Sequence, residues 1–240
     1  MKPIKQIIAL ASIAMLIFTT GCIDELLVDG NGISATEARI TEEFSKIESE
    51  GEFDIHITSG SEFDILVEAE SNLIQYIETD VNGSTLRIHT RGLRDLRNSL
   101  PMEIFITVPF VEEIKQSGSG HITTDFFEGN HFEFVISGSG SIGTAIDANS
   151  VDGVVSGSGS LFVSGAANSA DFVISGSGQI DAWDMELQNC EATISGSGSI
   201  WLSVEQFLRA IISGSGSVYY SGTPEIETRI SGSGNIFNEN

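Results

Sequence analysis

Apolar and polar residues alternate along the second half of the chain, on both sides of a repeated Ser-Gly-Ser-Gly string. Around the copy that begins at Ser175, Phe172 and Ile174 precede the string, and Ile180 and Ala182 follow it with the same parity. Successive side chains of a β-strand point to opposite faces of its sheet, so this period of two places these residues on one face. The pattern predicts two extended arms that meet at the tetrapeptide and bury the same side.

The tetrapeptide recurs at a nearly constant spacing. SGSG begins at residues 117, 137, 156, 175, 195, 213 and 231, at intervals of 18 to 20 residues. Between successive pairs of arms lie five to seven residues rich in turn formers, which predict a variable loop. A unit of this length cannot bury its own apolar face, whereas stacking on similar neighbours buries a continuous core. The repeats therefore predict an all-β chain that folds as a parallel β-helix (β-solenoid) with about seven SGSG-containing rungs.

The glycines of each repeat share the parity of the buried positions, and the serines share the outward parity. We therefore predict that the register runs unbroken through the motif, with both glycines facing inward and both serines facing outward. A glycine within a strand costs roughly 0.5–1 kcal/mol relative to alanine. Repetition of this cost in every rung indicates that a Cβ atom does not fit there, either at a sharp corner or between two closely approaching walls.

The chain before the repeats is also rich in predicted strands. Residues 40–110 are expected to form an irregular β-rich front part of the same solenoid, and residues 111–240 form its SGSG-repeat body. Within the front part, Glu52–Thr58 and Phe63–Ala69 are predicted to form a hairpin around Ser59-Gly60.

The N-terminal residues have the organisation of an export signal. Two lysines precede a short apolar run over residues 7–18, and small residues then lead to Cys22. The run is too short to span a bilayer, which needs roughly 20 apolar residues. This order predicts a lipoprotein signal peptide over residues 1–21, with Cys22 as the lipid attachment site and a membrane as a partner through that anchor. Residues 22–39 are expected to be an acidic tether, and Ile23 favours the outer membrane as the destination.

The charge of the chain excludes several classes of function. Acidic residues outnumber basic ones by 34 to 11, for a formal charge of −23, and loss of the signal with its two lysines changes this to −25. Such a chain repels nucleic acid and anionic lipid headgroups, so neither is an expected partner. From residue 117 onward the only basic residues are Arg209 and Arg229, which disfavours a lyase acting on acidic polysaccharides.

Catalysis and cofactor binding are not expected from the motifs. A nucleophilic serine is needed once, whereas SGSG occurs seven times. A stacked calcium site needs an aspartate two residues beyond the last glycine of each turn, and here that position holds Ile, Leu or Val. We therefore expect no enzyme activity, no cofactor and no resident metal. With Cys22 acylated, Cys190 is the remaining cysteine, so no intramolecular disulfide is expected either.

One outward column of the predicted solenoid carries aromatic residues. With the first serine of each motif counted as zero, position +6 is aromatic in four repeats, as Phe162, Trp201, Tyr219 and Phe237. Aromatic rings on an outer wall are suited to stacking on a carbohydrate or packing on a partner protein. The alternative is local packing under a loop or against the front part. We take these four residues as the candidate binding face.

Several strings together resemble the head GIN domain family of autotransporter-type adhesins. They are FDIHI, SNLIQYIETDVNGSTLRI and ITVP in the front part, followed by the chain of SGSG-Ile units. The SGSG run is the specific part of this resemblance, which extends over most of the mature chain. It implies a right-handed parallel β-helix, secretion or lipid anchoring, and no assigned catalytic site.

These observations favour a surface-anchored lipoprotein that acts in binding or scaffolding, with cell adhesion to a glycan or protein ligand as the main expectation. One alternative is an envelope structural or sensing lipoprotein that faces the periplasm. The third alternative is a carbohydrate-active enzyme. The last repeat lies close to residue 240 and leaves an open sheet edge, which predicts an end-to-end homodimer.

Overall fold

The structure, a computed structural model, describes residues 27–240, so Cys22 and the predicted signal peptide lie outside the described residues. The described chain is almost entirely β-structure, with one 3₁₀ turn over Ile74–Tyr76. Its strands are β1 (Leu27–Asp29), β2 (Ser34–Arg39), β3 (Lys46–Gly51), β4 (Asp54–Ser59), β5 (Asp64–Glu70), β6 (Ile77–Asn82), β7 (Thr85–Thr90), β8 (Asp95–Arg97), β9 (Glu103–Val108), β10 (Glu113–Gly118), β11 (His121–Gly138), β12 (Ser141–Gly157), β13 (Ser160–Gly176), β14 (Gln179–Gly196), β15 (Ser199–Gly214), β16 (Ser217–Ser221), β17 (Glu225–Gly232) and β18 (Asn235–Asn238).

Strands β11 to β15 each form one coil of a parallel β-solenoid. Each begins at the residue after one SGSG motif and ends at the second residue of the next. Successive coils pair in parallel and in register, so that Ser137 pairs with Ser156, and Ser156 with Ser175. The predicted repeat architecture is confirmed. We call the stretch before each motif the first arm of a coil and the stretch after it the second arm.

In β11 to β15, the segments predicted as variable loops remain hydrogen-bonded to their neighbours. Asp147 and Ser150, in the middle of β12, pair with Ala166 and Ser169 of β13. The chain therefore turns from the second arm of one coil to the first arm of the next without leaving the sheet. Stacking in register satisfies the backbone groups at these bends, which a solvated loop would leave to water.

The core consists of apolar columns that run along the solenoid. The residues one position before and two positions after the motifs are at most 1% exposed in the central coils: Ile136, Val155, Ile174, Ile194 and Ile212 on the first arms, and Ile122, Ile142, Leu161, Ile180, Ile200 and Val218 on the second arms. Complete burial of such a side chain is worth roughly 1.5–3 kcal/mol. The predicted inward positions are therefore confirmed, and they supply the main stabilisation of the stack.

The SGSG motif forms a corner of each coil. Its first glycine has a φ of +118° to +133° in all seven copies, and its third and fourth residues lie outside the strands. At Gly176 an added Cβ atom would overlap the backbone oxygen of Gly157 in the preceding coil. At Gly178 an added Cβ atom would lie 2.6 Å from the oxygen of Gly159 and 2.5 Å from Cγ1 of Val155. Both glycines are therefore needed for the close stacking of corners.

The prediction that both glycines face inward is wrong for the first of them. Gly178 is buried, whereas Gly176 is only half-buried. The left-handed backbone at the first glycine bends the strand, so the alternation of faces is interrupted at the motif. As the sequence predicts, neither glycine has room for a Cβ atom. An added Cβ atom at the first glycine would meet the backbone of the preceding coil, and one at the second glycine would also meet core side chains.

The front part continues both arms of the solenoid through a further coil that lacks the motif. β3 pairs with β10 and β4 pairs with β11, so that Glu50-Gly51-Glu52-Phe53 takes the place of SGSG. Gly51 keeps a positive φ of +133°, and fully buried Phe53 replaces the second glycine. This coil is absent from the sequence-based prediction because only one of its four corner residues matches the motif.

β4 and β5 do not form the predicted hairpin around Ser59-Gly60. β9 lies between them, parallel to β4 and antiparallel to β5. On its other edge, β5 pairs with β2, again antiparallel. The two strands are therefore joined through a strand that comes later in the chain, a long-range pairing that a local turn signal cannot indicate.

Residues 27–39, which belong to the predicted tether 22–39, are folded onto the front part. β1 pairs with β8, and β2 pairs with β5. The buried Glu70 carboxylate accepts hydrogen bonds from the backbone N–H groups of Ser99 and Gly32, and these bonds, that of Ser99 foremost, lower its pKa. The expectation of a tether is therefore wrong from residue 27 onward, because these residues complete the sheet and satisfy a buried carboxylate.

The far end of the solenoid exposes its last coil. β17 pairs with β15 and β18 with β16, and within residues 27–240 neither has a partner on its other edge. Ile226 and Ile230 of β17 are 39% and 44% exposed, although equivalent positions in the central coils are buried.

Over residues 27–240, the structure contains no helix with the length and apolarity of a membrane span.

Candidate binding face

The outer face of the second arms presents three aromatic rings in one stack. Trp201 pairs with Tyr219, and Tyr219 pairs with Phe237, in successive coils. The ring centroids of Trp201 and Tyr219 lie 5.3 Å apart and those of Tyr219 and Phe237 lie 5.0 Å apart, with interplanar angles of 8° and 18°. Parallel stacking in register fixes these rings on the surface, and we call them the aromatic stack.

Phe162 lies in the same column but outside the stack. Its backbone pairs with Gly143 in the coil before it and with Asp181 in the coil after it, and Asp181 in turn pairs with Trp201. One carboxylate therefore separates Phe162 from the aromatic stack, and the Phe162 side chain is 43% exposed. The structure places all four candidate residues on one face and brings three of them into ring contact. Their role in binding stays a prediction.

A bulge in β14 adds a fifth aromatic residue to this face. Ala182 pairs with Leu202, but the next paired residues are Glu186 and Ser203, so β14 carries three additional residues at this point. Oδ1 of Asp181 accepts a hydrogen bond of 3.1 Å from the backbone N–H of Trp183, and this Asx-type contact holds the start of the bulge. Trp183 is 36% exposed. The sequence carried a signal for the bulge, since the repeat that contains it is 20 residues long and the next is 18.

Two cavities lie on this face. The first, of about 380 Å³, is lined by Trp183, Trp201, Tyr219 and Glu239. The second, of about 420 Å³, lies around Phe162 and is lined by a set of small, hydroxyl-bearing and acidic residues: Thr123, Thr124, Gly143, Thr144, Ala145, Val163, Ser164, Asp181 and Asp184. We call them the stack cavity and the Phe162 cavity. Both offer an aromatic surface next to carboxylate oxygens, a combination that binds polar ligands with apolar faces.

The column continues into the front part. The rings of His56 and Phe105 are stacked, with centroids 5.1 Å apart, and their strands pair at this position. His56 Nδ1 is 3.0 Å from the hydroxyl oxygen of Thr123, which lines the Phe162 cavity. Sequence reasoning missed this pair because the front coil lacks the SGSG motif from which the column was counted.

The first arms carry a different outer surface, a ladder of carboxylates. Glu133, Asp152, Asp171 and Glu191 stand at one position of successive coils, and Nη1 of Arg209 in the next coil lies 3.3 Å from Oε2 of Glu191. Burial raises the pKa of Asp171, and the carboxylates of Glu191 and Asp152 raise it further. Like charges one strand spacing apart, about 4.8 Å, repel one another and any anionic ligand.

A smaller cluster on the antiparallel strands β6 and β7 brings together groups that ligate metals elsewhere. One ligand atom each from Glu78, Asp80 and His89 lies within 4.8 Å of the others. Arg91 forms an ion pair with the Glu78 carboxylate, and this contact lowers the pKa of Glu78. The guanidinium thus already satisfies one of the three groups, and the arrangement is that of an ordinary surface ion-pair network.

Most of the chain matches one known protein family. Residues 43–224 match the family described as "Putative auto-transporter adhesin, head GIN domain". The chain belongs to this family. The match extends over the front part and nearly all the SGSG coils, so the head GIN domain comprises most of the solenoid, including the Phe162 cavity and most of the stack cavity.

Solved structures support the same fold for this head GIN domain protein. A "putative adhesin" from Bacteroides fragilis is 24% identical, with a TM-score of 0.79 over 88% of this chain and 99% of that chain. A "putative lipid binding protein" from Parabacteroides distasonis is 27% identical, with a TM-score of 0.76 over 89% and 100%. A "putative adhesin" from Parabacteroides merdae is 21% identical, with a TM-score of 0.74 over 89% and 99%. No curated protein matches the chain.

These relatives are described as adhesins or lipid-binding proteins and not as enzymes. The family supports an adhesion-like role for this head GIN domain protein and a place at a surface or outside the cell. The sequence-based resemblance to this family is thereby confirmed.

Proposed function

We propose that this head GIN domain protein is a lipid-anchored cell-surface protein that attaches, without catalysis, to a glycan or protein ligand through the outer face of its second arms. The adhesin-like family supports the binding role. Attachment through Cys22 and an outer-membrane location rest on the signal in the first residues of the sequence.

The aromatic stack is the observation that carries the binding role. The fold does not require an aromatic ring at the position of Trp201, Tyr219 and Phe237, because Gly143 and Asp181 occupy the same position in other coils and still pair there with the neighbouring coil. Exposed Trp and Tyr side chains supply large apolar contact areas at low entropic cost, and they dominate binding energies in protein interfaces. Solubility alone does not call for three stacked rings on an outer surface.

The position of the anchor fits a body held close to the membrane. Leu27, where β1 begins, is five residues along the chain from Cys22, with four residues between them. A fully extended chain of this length spans at most about 18 Å. The front part would therefore lie near the lipid surface. The high negative charge of the chain gives it no electrostatic attraction to anionic lipids, so the acyl chains alone would hold it there.

Protease treatment of intact cells tests the location. We expect fragments of residues 117–240 to be released from intact cells, and the Cys22→Ala variant to lose its membrane association in a detergent phase-partition assay. Cells lysed before treatment serve as the control that the protein is cleavable. Protection until lysis would contradict a surface location and support the periplasm-facing alternative.

Attachment assays with purified variants test the binding face. Loss of a central aromatic contact costs about 2 kcal/mol or more, or roughly thirty-fold in affinity. We expect this loss for Trp201→Ser and Tyr219→Ser in binding to cells or extracellular material. Phe110→Ser, which changes a 48% exposed ring of the front part, is the matched control. Equal attachment by all three variants would overturn the proposed role of the stack.

A further inference from the structure

The two cavities of the binding face are adjacent and are separated by the β14 bulge. Asp181 and Asp184 line the Phe162 cavity, and Trp183, between them in sequence, lines the stack cavity. Phe162 and Trp201 are two coils apart, which is about 10 Å along the solenoid axis at the usual strand spacing. Volumes of about 420 and 380 Å³ lie in the lower part of the range of roughly 300–1,000 Å³ typical of small-molecule sites. Both cavities are open to solvent along the face, and each has room for one or two sugar rings.

The Phe162 cavity exists because Gly143 lacks a side chain. An added Cβ atom at Gly143 would meet no atom within 4 Å, and its φ is not positive. The corner glycines are different, because an added Cβ atom at Gly157 would lie 2.6 Å from a backbone oxygen. The fold thus imposes the corner glycines but leaves position 143 free, and a larger residue there would fill the space beside the Phe162 ring.

The lining suits a saccharide better than a flat protein surface. One face of a pyranose ring presents C–H groups that pack on an aromatic ring, and its hydroxyl groups donate hydrogen bonds to carboxylates. Phe162 with Asp181 and Asp184 offers both features in one cavity, and Trp201 with Glu239 offers both in the other.

Charge restricts the class of saccharide. Both cavities carry carboxylates, and the only basic residues after residue 117, Arg209 and Arg229, lie on the first arms of their coils. An acidic sugar would be repelled here, whereas a neutral one would not. An amino sugar would gain from the carboxylates and from cation–π contact with the tryptophans.

We propose that the Phe162 cavity and the stack cavity are consecutive subsites for one neutral or amino-bearing glycan chain that lies along the solenoid axis. This inference rests on the proposed function and names its ligand. The chain would cross the β14 bulge, with Trp183 and Asp184 contacting the linkage between the two subsites.

Tryptophan fluorescence provides a direct measurement on the full chain. The sequence contains two tryptophans, Trp183 and Trp201, and both line the stack cavity. Titrations use cellohexaose as the neutral probe, chitosan hexamer as the amino-bearing probe and hexagalacturonate as the acidic probe. We expect saturable emission changes with the first two probes and none with the third. Asp184→Asn removes the charge but keeps a hydrogen-bond acceptor in the Phe162 cavity, so it should weaken binding of the chitosan hexamer more than binding of cellohexaose.

Gly143→Leu tests whether the cavities act together. We expect this variant to weaken binding of the hexamers by about ten-fold or more. Cellobiose is short enough to bind within the stack cavity without reaching the Phe162 cavity, so its affinity should fall much less. Unchanged circular dichroism and melting temperature verify that the added side chain occupies open space, and Phe110→Ser is the surface control. Equal loss for cellobiose and hexamer, or no loss for either, would overturn the two-subsite arrangement.

Failure of this inference is distinguishable from failure of the proposed function. If neither cellohexaose nor chitosan hexamer changes the emission at millimolar concentration, the glycan inference is wrong. The proposed function nevertheless stands if cell attachment is still abolished by Trp201→Ser, which would indicate a protein ligand. Preferential binding of hexagalacturonate would also contradict the inference, because it reverses the expected charge dependence.

Discussion

Replacement of Gly176 by alanine tests the physical account of the corners. The residue has a φ of +131°, and the new Cβ atom would overlap the backbone oxygen of Gly157. A non-glycine residue in such a backbone region costs on the order of 1–3 kcal/mol, and overpacking against an atom that cannot rotate away adds roughly 1–3 kcal/mol. The expected loss in free energy of unfolding is thus about 2–6 kcal/mol. For a domain of this size, that is on the order of 5–20 °C in melting temperature.

Thermal unfolding followed by circular dichroism measures this loss. Ser175→Ala is the matched control, because Ser175 is exposed and its replacement should change the free energy of unfolding by less than about 0.5 kcal/mol. Gly232→Ala removes the equivalent glycine in the terminal coil, where β17 is exposed, and we expect it to loosen only that coil. Equal melting temperatures for Gly176→Ala and Ser175→Ala would refute the account.

Three further predictions concern charge and association. The pKa of Asp171 is raised above its ordinary 3.8, so ionisation of this carboxyl lowers the stability of the folded state as pH rises through and above that value. Asp171→Asn should therefore raise the melting temperature at pH 7 and give no gain below about pH 3. The gain should be smaller in high salt, which screens the neighbouring carboxylates. The pKa of Glu70 is lowered from 4.5, so its carboxylate contributes to folding stability above that value, and this contribution is lost as pH falls through the pKa of the folded state. Glu70→Gln should therefore lower the melting temperature at pH 7, and the difference from the unchanged protein should shrink in acid. The exposed edge of β17, with Ile226 and Ile230, should support an end-to-end homodimer that Ile230→Lys disrupts, and a monomer in light scattering at high protein concentration would contradict this expectation.

The solenoid could be predicted because its determinants are local and repeated. Alternation around each motif assigns the buried positions, and in-register stacking follows when every rung carries the same corner. The front part could not be predicted in the same way. Phe53 fills a corner that elsewhere holds a glycine, and β9 enters between β4 and β5 from a distant part of the chain. Neither feature has a periodic signature.

The sequence predicts which residues share the outward column, but it does not identify the residues of the bulge or predict the cavities on that face. Counting from the motif gives Phe162 and Trp201 the same outward position. The unequal lengths of the repeats indicate a bulge, but they do not identify the residues that form it or show that it presents Trp183. Counting from the motif also places Gly143 beside Phe162, but the count does not show that the space there stays open.

The in-register corners have an evolutionary consequence. Because each coil contacts its neighbours through the same inward columns and the same glycine pair, a gene rearrangement that duplicates or deletes one repeat preserves the corner and the core. What changes is the order in which outward side chains follow one another along the axis. A protein built in this way can acquire a new order of surface groups through a change in the number of its repeats, with the corners and the core columns kept.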